Sequence, residues 1–346
     1  MITQVRRAVG TRAGGQPAYA IEARGLVKTY PKGVRALDGL SFSVPAGTVF
    51  ALLGPNGAGK STTVKILTTL AQADSGTATV AGLDVRASAA KVRHAIGVVA
   101  QRSGADPMAT GRENLMLTGR IQGLPGRRLA HRADDLLSRF ALAGAAGRLV
   151  RTYSGGMRRR LDVAMGLINQ PQVLFLDEPT AGLDPESRSA VWEEIARLSA
   201  AEGLTILLTT HYLEEADRLA GQVAIADRGR VVAAGTPDEL KGQLHGDAVH
   251  LELASGADPR TVRTALAPLP AISEIRVEGN SASARADDGA SALPAVLAAL
   301  ENAGVAVRAA TLARPSLDDV YLRYAGRRFA EADQSPAVPS ATGESR

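Results

Sequence analysis

Gly54-Pro55-Asn56-Gly57-Ala58-Gly59-Lys60-Ser61 is the stretch from which the fold can be read. It fits the phosphate-binding pattern G-x-x-x-x-G-K-[ST]. Val49-Phe50-Ala51-Leu52-Leu53 precedes it, an apolar run of the length expected for a buried parallel strand. Val64, Leu67 and Ala71 follow on one helical face. Strand, glycine loop and helix is the order this chemistry needs. Glycines let successive N–H groups turn inward around a polyphosphate, and a helix N-terminus adds positive dipole. Contact with ATP is expected along Gly54, Pro55, Asn56, Gly57, Ala58, Gly59, Lys60, Ser61 and Thr62. Lys60 would reach the β- and γ-phosphates, and Ser61 would hold Mg²⁺.

Outward from the loop, a second signal is Val173-Leu174-Phe175-Leu176-Asp177-Glu178-Pro179. Four apolar residues followed by two carboxylates predict a buried strand that delivers both acids to the end of the sheet beside the loop. Asp177 is expected to help hold Mg²⁺. Glu178 is expected to act as general base on the attacking water. Neighbouring side chains on a strand face opposite ways, so the two acids can take separate roles. Ile96 to Ala100 and Leu204 to Thr210 read as two more buried strands, ending at Gln101 and His211. Polar residues at the carboxyl ends of parallel strands face the ligand crevice. Gln101 alone reads as a loop residue, or as a group that coordinates Mg²⁺ or orients water. His211 alone reads as a surface or core histidine, and its shared placement with Gln101 and Glu178 shifts the reading to a γ-phosphate contact.

The remaining chain is organised around these strands. Ile21 to Tyr30 and Leu40 to Val44 read as an N-terminal β layer. Tyr30 could stack on adenine or cover the core. Residues 110–150 read as a helical insertion with Gly/Pro breaks, leading to Tyr153-Ser154-Gly155-Gly156-Met157 at a helix start, a weak anion-site signal on its own. Arg158-Arg159-Arg160 reads as a solvated helix face. Past about Gly246 the order β-α-β-β-α-β is the ferredoxin-like pattern, and a last helix starts near Pro315. Residues 1–18 read as a flexible leader and 326–346 as a disordered tail.

Composition bounds the function. The chain has 346 residues, enough for two domains. Its 40 Lys+Arg against 35 Asp+Glu leave a net charge of only +5, with no dense basic tract interleaved with aromatics, so nucleic acid is not an expected partner. It has no cysteine, which excludes disulfides and cysteine metal sites. No apolar run approaches the ~18 residues of a membrane span.

The phosphate loop, Gln101, Ser154-Gly155-Gly156, Asp177-Glu178, Ala181-Gly182-Leu183-Asp184 and His211 stand in the order of an ATP-binding cassette (ABC) transporter ATPase. The resemblance covers about residues 19–245, with a helical subdomain over about 102–170. It implies a P-loop α/β core with an antiparallel β layer, followed by a small α+β domain over 246–325. It implies that Tyr30 is the adenine-stacking aromatic, Gln101 the coupling glutamine and His211 the switch histidine. It also makes Ala181, Gly182, Leu183 and Asp184 the D-loop. Tyr153, Ser154, Gly155, Gly156 and Met157 resemble the family signature, with Tyr153 and Met157 where Leu and Gln are usual. Ala109 to Leu115, Tyr153 to Met157 and Arg314 to Leu322 further resemble the daunorubicin/doxorubicin-resistance subfamily. That implies ATP and Mg²⁺ as ligands and a head-to-tail pair of cassettes, completed by a second copy of this chain or by a related chain. It also implies a separately encoded membrane permease and a peripheral place on the cytoplasmic face of the cell membrane. Three rivals fit less of the sequence. A translation or repair ATPase would carry a second cassette or a long coiled coil. A phosphate-loop kinase or GTPase leaves Ser154-Gly155-Gly156 and His211 unexplained. An importer ATPase shares the cassette and differs only in the tail and the local variants.

Overall fold

The protein is described here by a computed structural model, in which residues 19–244, 246–254 and 257–334 can be described. The expected leader, residues 1–18, lies outside them. Two compact units are present. One runs to Pro237 and takes in the segment from Phe329, and the other is Asp238–Arg328.

In the first unit, β1 (Tyr19–Tyr30) and β2 (Val34–Pro45) form a long antiparallel pair. Leu37, Leu40, Phe42 and Val44 place one face of β2 in the core. β3 (Val49–Leu53) is buried at all five positions and runs into the phosphate loop and α1 (Lys60–Leu67). β4 (Ser75–Val80) and β5 (Leu83–Asp84) complete the first sheet, in the order β2-β1-β4-β5. Next come α2 (Ala89–Ala95) and β6 (Ile96–Val99). The helical insertion follows as α3 (Gly111–Ile121), α4 (Gly126–Arg139) and α5 (Gly155–Gly166). Thr110 and Glu113 close a capping box that starts α3.

β7 (Val173–Asp177), α6 (Pro185–Glu202), β8 (Thr205–Thr210), α7 (Leu213–Leu219), β9 (Gln222–Asp227) and β10 (Arg230–Gly235) finish the core. The second sheet has the order β10-β9-β3-β8-β7-β6, parallel throughout except for the edge strand β10. Its central strands are apolar on both faces, as strands covered on both sides must be. The main core lies between the two sheets, where Ile21, Leu40, Phe50, Leu52, Ile66, Phe175 and Leu207 pack together. The parallel arrangement sends the ends of β3, β6, β7 and β8 to one edge, where ligands of open α/β sheets bind.

α8 (Pro237–Gly242) leads into the second unit. There β11 (Asp247–Leu253), α9 (Pro259–Leu266), β12 (Ile272–Glu278), β13 (Ser281–Ala286), α10 (Gly289–Asn302) and β14 (Val307–Ala313) follow one another. The sheet is antiparallel with the order β12-β13-β11-β14, the ferredoxin-like arrangement. Val249, Leu251 and Leu253 of β11 pack with Val262 and Leu266 of α9 and Val296 and Leu300 of α10. α11 (Leu317–Ala325) starts at a second capping box, Ser316 with Asp319.

The disordered tail expected from 326 needs correction over its first part. Phe329–Gln334 form α12, which belongs to the first unit. Phe329 and Ala332 are buried on one face of it, a spacing too short to stand out among the polar residues around it. Residues 335–346 lie outside the described part.

Candidate functional site

The loop after β3 holds its shape through positions that admit no side chain. Gly59 has φ +100, and a Cβ there would come within 2.6 Å of Ala36 O and 2.7 Å of Leu37 Cδ2. A Cβ on Gly54 would come within 2.5 Å of Ala226 O. β2 and the β9–β10 turn thus press on the loop from two sides. Gly229 N–H donates to Ala58 O at 3.1 Å, and Asp38 N–H donates to Gly229 O at 2.9 Å. The loop ends at the N-terminus of α1, with Lys60 its first residue.

Lys60 is buried. Its ammonium donates to Gly54 O at 2.7 Å and Pro55 O at 3.2 Å, and lies 3.4 Å from Glu178 Oε1. Burial lowers the Lys60 pKa, with the charges of Glu178, Asp333 and Asp177 opposing that shift. Asp333 belongs to α12, and its Oδ1 accepts a 3.0 Å hydrogen bond from Asn56 N–H. The loop therefore already binds one carboxylate.

The carboxylate pair is split by backbone conformation rather than by strand alternation. β7 ends at Asp177, and Glu178 has φ +48, in the left-handed region that a non-glycine residue rarely adopts. Asp177 Oδ1 accepts from Thr209 Oγ1 at 2.5 Å and from Ser61 Oγ at 3.4 Å. Glu178 N–H donates to Thr209 O and Thr209 Oγ1, both at 3.1 Å. One threonine at the end of β8 thereby fixes both acids. The Glu178 side chain turns the other way. Gln101 Nε2 donates to its Oε2 at 2.9 Å, and His211 Nδ1 lies 3.3 Å from the same oxygen. Glu178 is only 8% exposed. Burial pushes its carboxyl up, but His211 and the Lys60 ammonium outweigh that and hold it below its ordinary value.

Lys60, Ser61, Gln101, Asp177, Glu178 and His211 are thus brought together. The hydroxyl of Ser61, the carboxylate of Asp177 and the amide oxygen of Gln101 are hard oxygen donors, the set Mg²⁺ prefers. Tyr30 lies at the end of β1, with Lys28 Nζ 5.7 Å from its ring centre.

The Ser154 segment forms a different surface. Ser154 caps α5, accepting from Met157 N–H at 3.2 Å, and Ser154 and Gly155 are exposed. Tyr153 points inward instead, donating from its hydroxyl to Ala145 O at 2.7 Å. Asp184 caps α6 by accepting from Ser187 N–H at 2.9 Å, and Gly182 and Asp184 are exposed beside the α5 terminus. The two caps adjoin. A Cβ on Gly155 would meet Leu183 Cδ2 at 3.7 Å, and one on Gly156 would meet Ser187 Oγ at 2.7 Å.

The reading of the arginine run as a solvated face fails for Arg159, which is 6% exposed. It lies among Ala100, Asp177 and Pro179, in segments remote in sequence, so no local pattern marks its burial. Its Nε donates to Pro179 O at 2.6 Å, Nη1 to Ala100 O at 2.7 Å and Nη2 to Asp177 O at 3.3 Å. Sequence reasoning also passed over Thr209, which sits in a strand that reads simply as apolar.

Known proteins share these features. The ABC transporter family profile matches residues 37–181, and the profile of the ATP-binding protein DrrA1-3-like C-terminal domain matches residues 235–325. Daunorubicin resistance ATP-binding protein DrrA2 of Streptomyces coeruleorubidus is 47% identical over 92% of this chain and 99% of its own. Daunorubicin/doxorubicin resistance ATP-binding protein DrrA of Streptomyces peucetius is 46% identical over 90% of this chain and 94% of its own. Among solved structures, cbiO1 from Clostridium perfringens, described as part of the ABC transporter complex cbiONQ, superposes with a TM-score of 0.60. It is 26% identical and covers 73% of this chain and 96% of its own.

Proposed function

The chain belongs to the ABC transporter ATP-binding proteins of the daunorubicin/doxorubicin-resistance type, and from that premise we propose that it is the ATP-hydrolysing subunit of an exporter. In this reading it powers efflux of a drug or other hydrophobic compound through a separate membrane permease. One observation carries the hydrolytic part. Glu178 is ringed by Lys60, Gln101 and His211 next to the Ser61–Asp177 pair, so a base, a γ-phosphate cation and a cation site share one edge of the sheet.

The loop N–H groups and Lys60 bind the polyphosphate, and Lys60 stabilises the charge that builds on the γ-phosphate. Glu178, ionised at neutral pH, accepts the proton of the attacking water. His211 and Gln101 orient that carboxylate and the water beside it. Ser61, Asp177 and Gln101 would hold Mg²⁺, which would supply charge neutralisation at the phosphate oxygens. Ser154 and Gly155, exposed next to Gly182 and Asp184, close over the nucleotide of a second copy.

No helix among the described residues is long and apolar enough to cross a membrane. Contact with a permease must therefore use the surface of this chain. The helical insertion supplies a candidate face. Leu117 and Ile121 of α3 are exposed, next to Thr118 and Gln122, which line a cleft of about 320 Å³ along β6 and α5.

Two measurements test the reading. Glu178→Gln in the purified chain should lose about 10²-fold or more in kcat while ATP still binds. Turnover close to wild type would remove Glu178 from its role. Affinity capture of the tagged chain from detergent-solubilised membranes should bring down a polytopic protein in stoichiometric amount. Recovery of ribosomes or repair proteins alone would argue for a soluble ATPase instead.

A further inference from the structure

We propose that Arg159 is a positioning residue that ties the signature helix to the catalytic edge of its own cassette, so that engagement of Ser154 by the partner's nucleotide is transmitted to Glu178 and Gln101 of the same chain. The inference rests on the assignment of Glu178 and of the paired cassettes made above.

The three carbonyls that Arg159 binds are not a random set. Asp177 and Pro179 stand on either side of Glu178, and Ala100 stands immediately before Gln101. One guanidinium thus holds the carbonyls of the two residues flanking the base and the peptide that leads to the glutamine bonded to it. Glu178 needs such support. A non-glycine residue in the left-handed region persists only where its surroundings fix it. Thr209 takes the Glu178 N–H, and Arg159 takes the carbonyls before and after.

α5 grips the Gln101 loop a second time. Asp162, one turn beyond Arg159, accepts from Ser103 Oγ at 2.8 Å and Gly104 N–H at 3.1 Å. The helix is therefore bonded to both sides of Gln101. Its N-terminal cap, Ser154, is exposed five residues before Arg159, about 7.5 Å along the axis at the helical rise. A helix is stiff over that length, so a displacement of its cap moves the guanidinium with it.

The neighbouring arginines show that helix packing alone does not call for this cation. Arg158 and Arg160 each bond a single carbonyl, Tyr153 O and Phe140 O, within the helical insertion. Arg159 alone carries a buried fork with three acceptors. Lysine has no planar fork and cannot reproduce this geometry.

The test uses the full-length chain and compares Arg159→Lys, Arg159→Gln and Glu178→Gln singly and in combination. Arg159→Lys should lower kcat by about 10²-fold, the scale of a misplaced catalytic group, with ATP affinity kept within about threefold. The Hill coefficient for ATP should fall towards one. Added to Glu178→Gln, Arg159→Lys should cause no further loss, because it acts through the group already removed. Four results would overturn the inference. They are kcat within about twofold of wild type, an equal proportional loss in the Glu178→Gln background, unchanged cooperativity, or a parallel fall in kcat, ATP affinity and thermal midpoint. The last identifies a folding staple only. If Arg159→Gln does not fold, Arg159→Lys, which keeps the charge, carries the comparison. If Glu178→Gln itself turns over normally, the assignment of the base has failed and the inference falls with it, a result distinct from the other four.

Discussion

Glu178 keeps its charge because three polar groups converge on a carboxylate that water barely reaches. Its folded pKa lies below the ordinary 4.5: burial raises it, and His211 and Lys60 more than reverse that. A depressed carboxylate adds stability that is complete above its unfolded pKa and is lost as pH falls through the folded value. The difference in thermal midpoint between wild type and Glu178→Gln should therefore stay constant from neutral pH to about pH 5 and change only below that. A difference that closes between those two values would show that Glu178 is not held ionised. The glutamate itself was legible in the sequence, since it is the second of two carboxylates that end a run of four apolar residues. Its backbone conformation was not, because a strand read from alternation has no reason to stop at Asp177. Arg159 was hidden for another reason. An arginine inside Arg158-Arg159-Arg160 looks solvated until the carbonyls of Ala100, Asp177 and Pro179 are brought to it.

α12 shows how a short element can matter without carrying a motif. Its Asp333 bonds the Asn56 N–H, a donor of the loop that the polyphosphate of the proposed site would also need. Two anions cannot share that donor, so in that reading this contact would oppose nucleotide binding. Asp333→Asn should tighten ATP binding by roughly two- to fivefold, the usual worth of an anion at a helix N-terminus. Titration with a fluorescent ATP analogue checks this, and an unchanged or weaker affinity would mean that the carboxylate does not compete. The other elements were easier to foresee. Short, mostly apolar stretches bounded by turn residues located β3, β6, β7 and β8. The capping boxes of α3 and α11 are Thr-x-x-Glu and Ser-x-x-Asp spacings visible in the chain. α12 was missed because two buried residues in a polar stretch make no periodic signal.

On the scale of the whole molecule, the proposed pairing with a second copy would use the exposed caps Ser154 and Asp184. With ATP and Mg²⁺, Glu178→Gln should double its mass in light scattering, since nucleotide bridges the copies and is not consumed. Adding Ser154→Phe should abolish that doubling and leave nucleotide binding by the single chain unchanged. A monomer under the first condition would exclude the paired arrangement. The order of motifs allowed this expectation from sequence, whereas the contact between the two caps needed the fold, because α5 and α6 are separated by β7. Ser187 fills the space that a side chain at Gly156 would occupy, with 2.7 Å between its hydroxyl and the missing Cβ. A larger residue at 187 would push the signature out of line and, in the proposed pair, weaken the site of the other subunit. In that pairing Ser187 would bear on a ligand it never touches, through a neighbour that, as glycine, has no side chain left to give up.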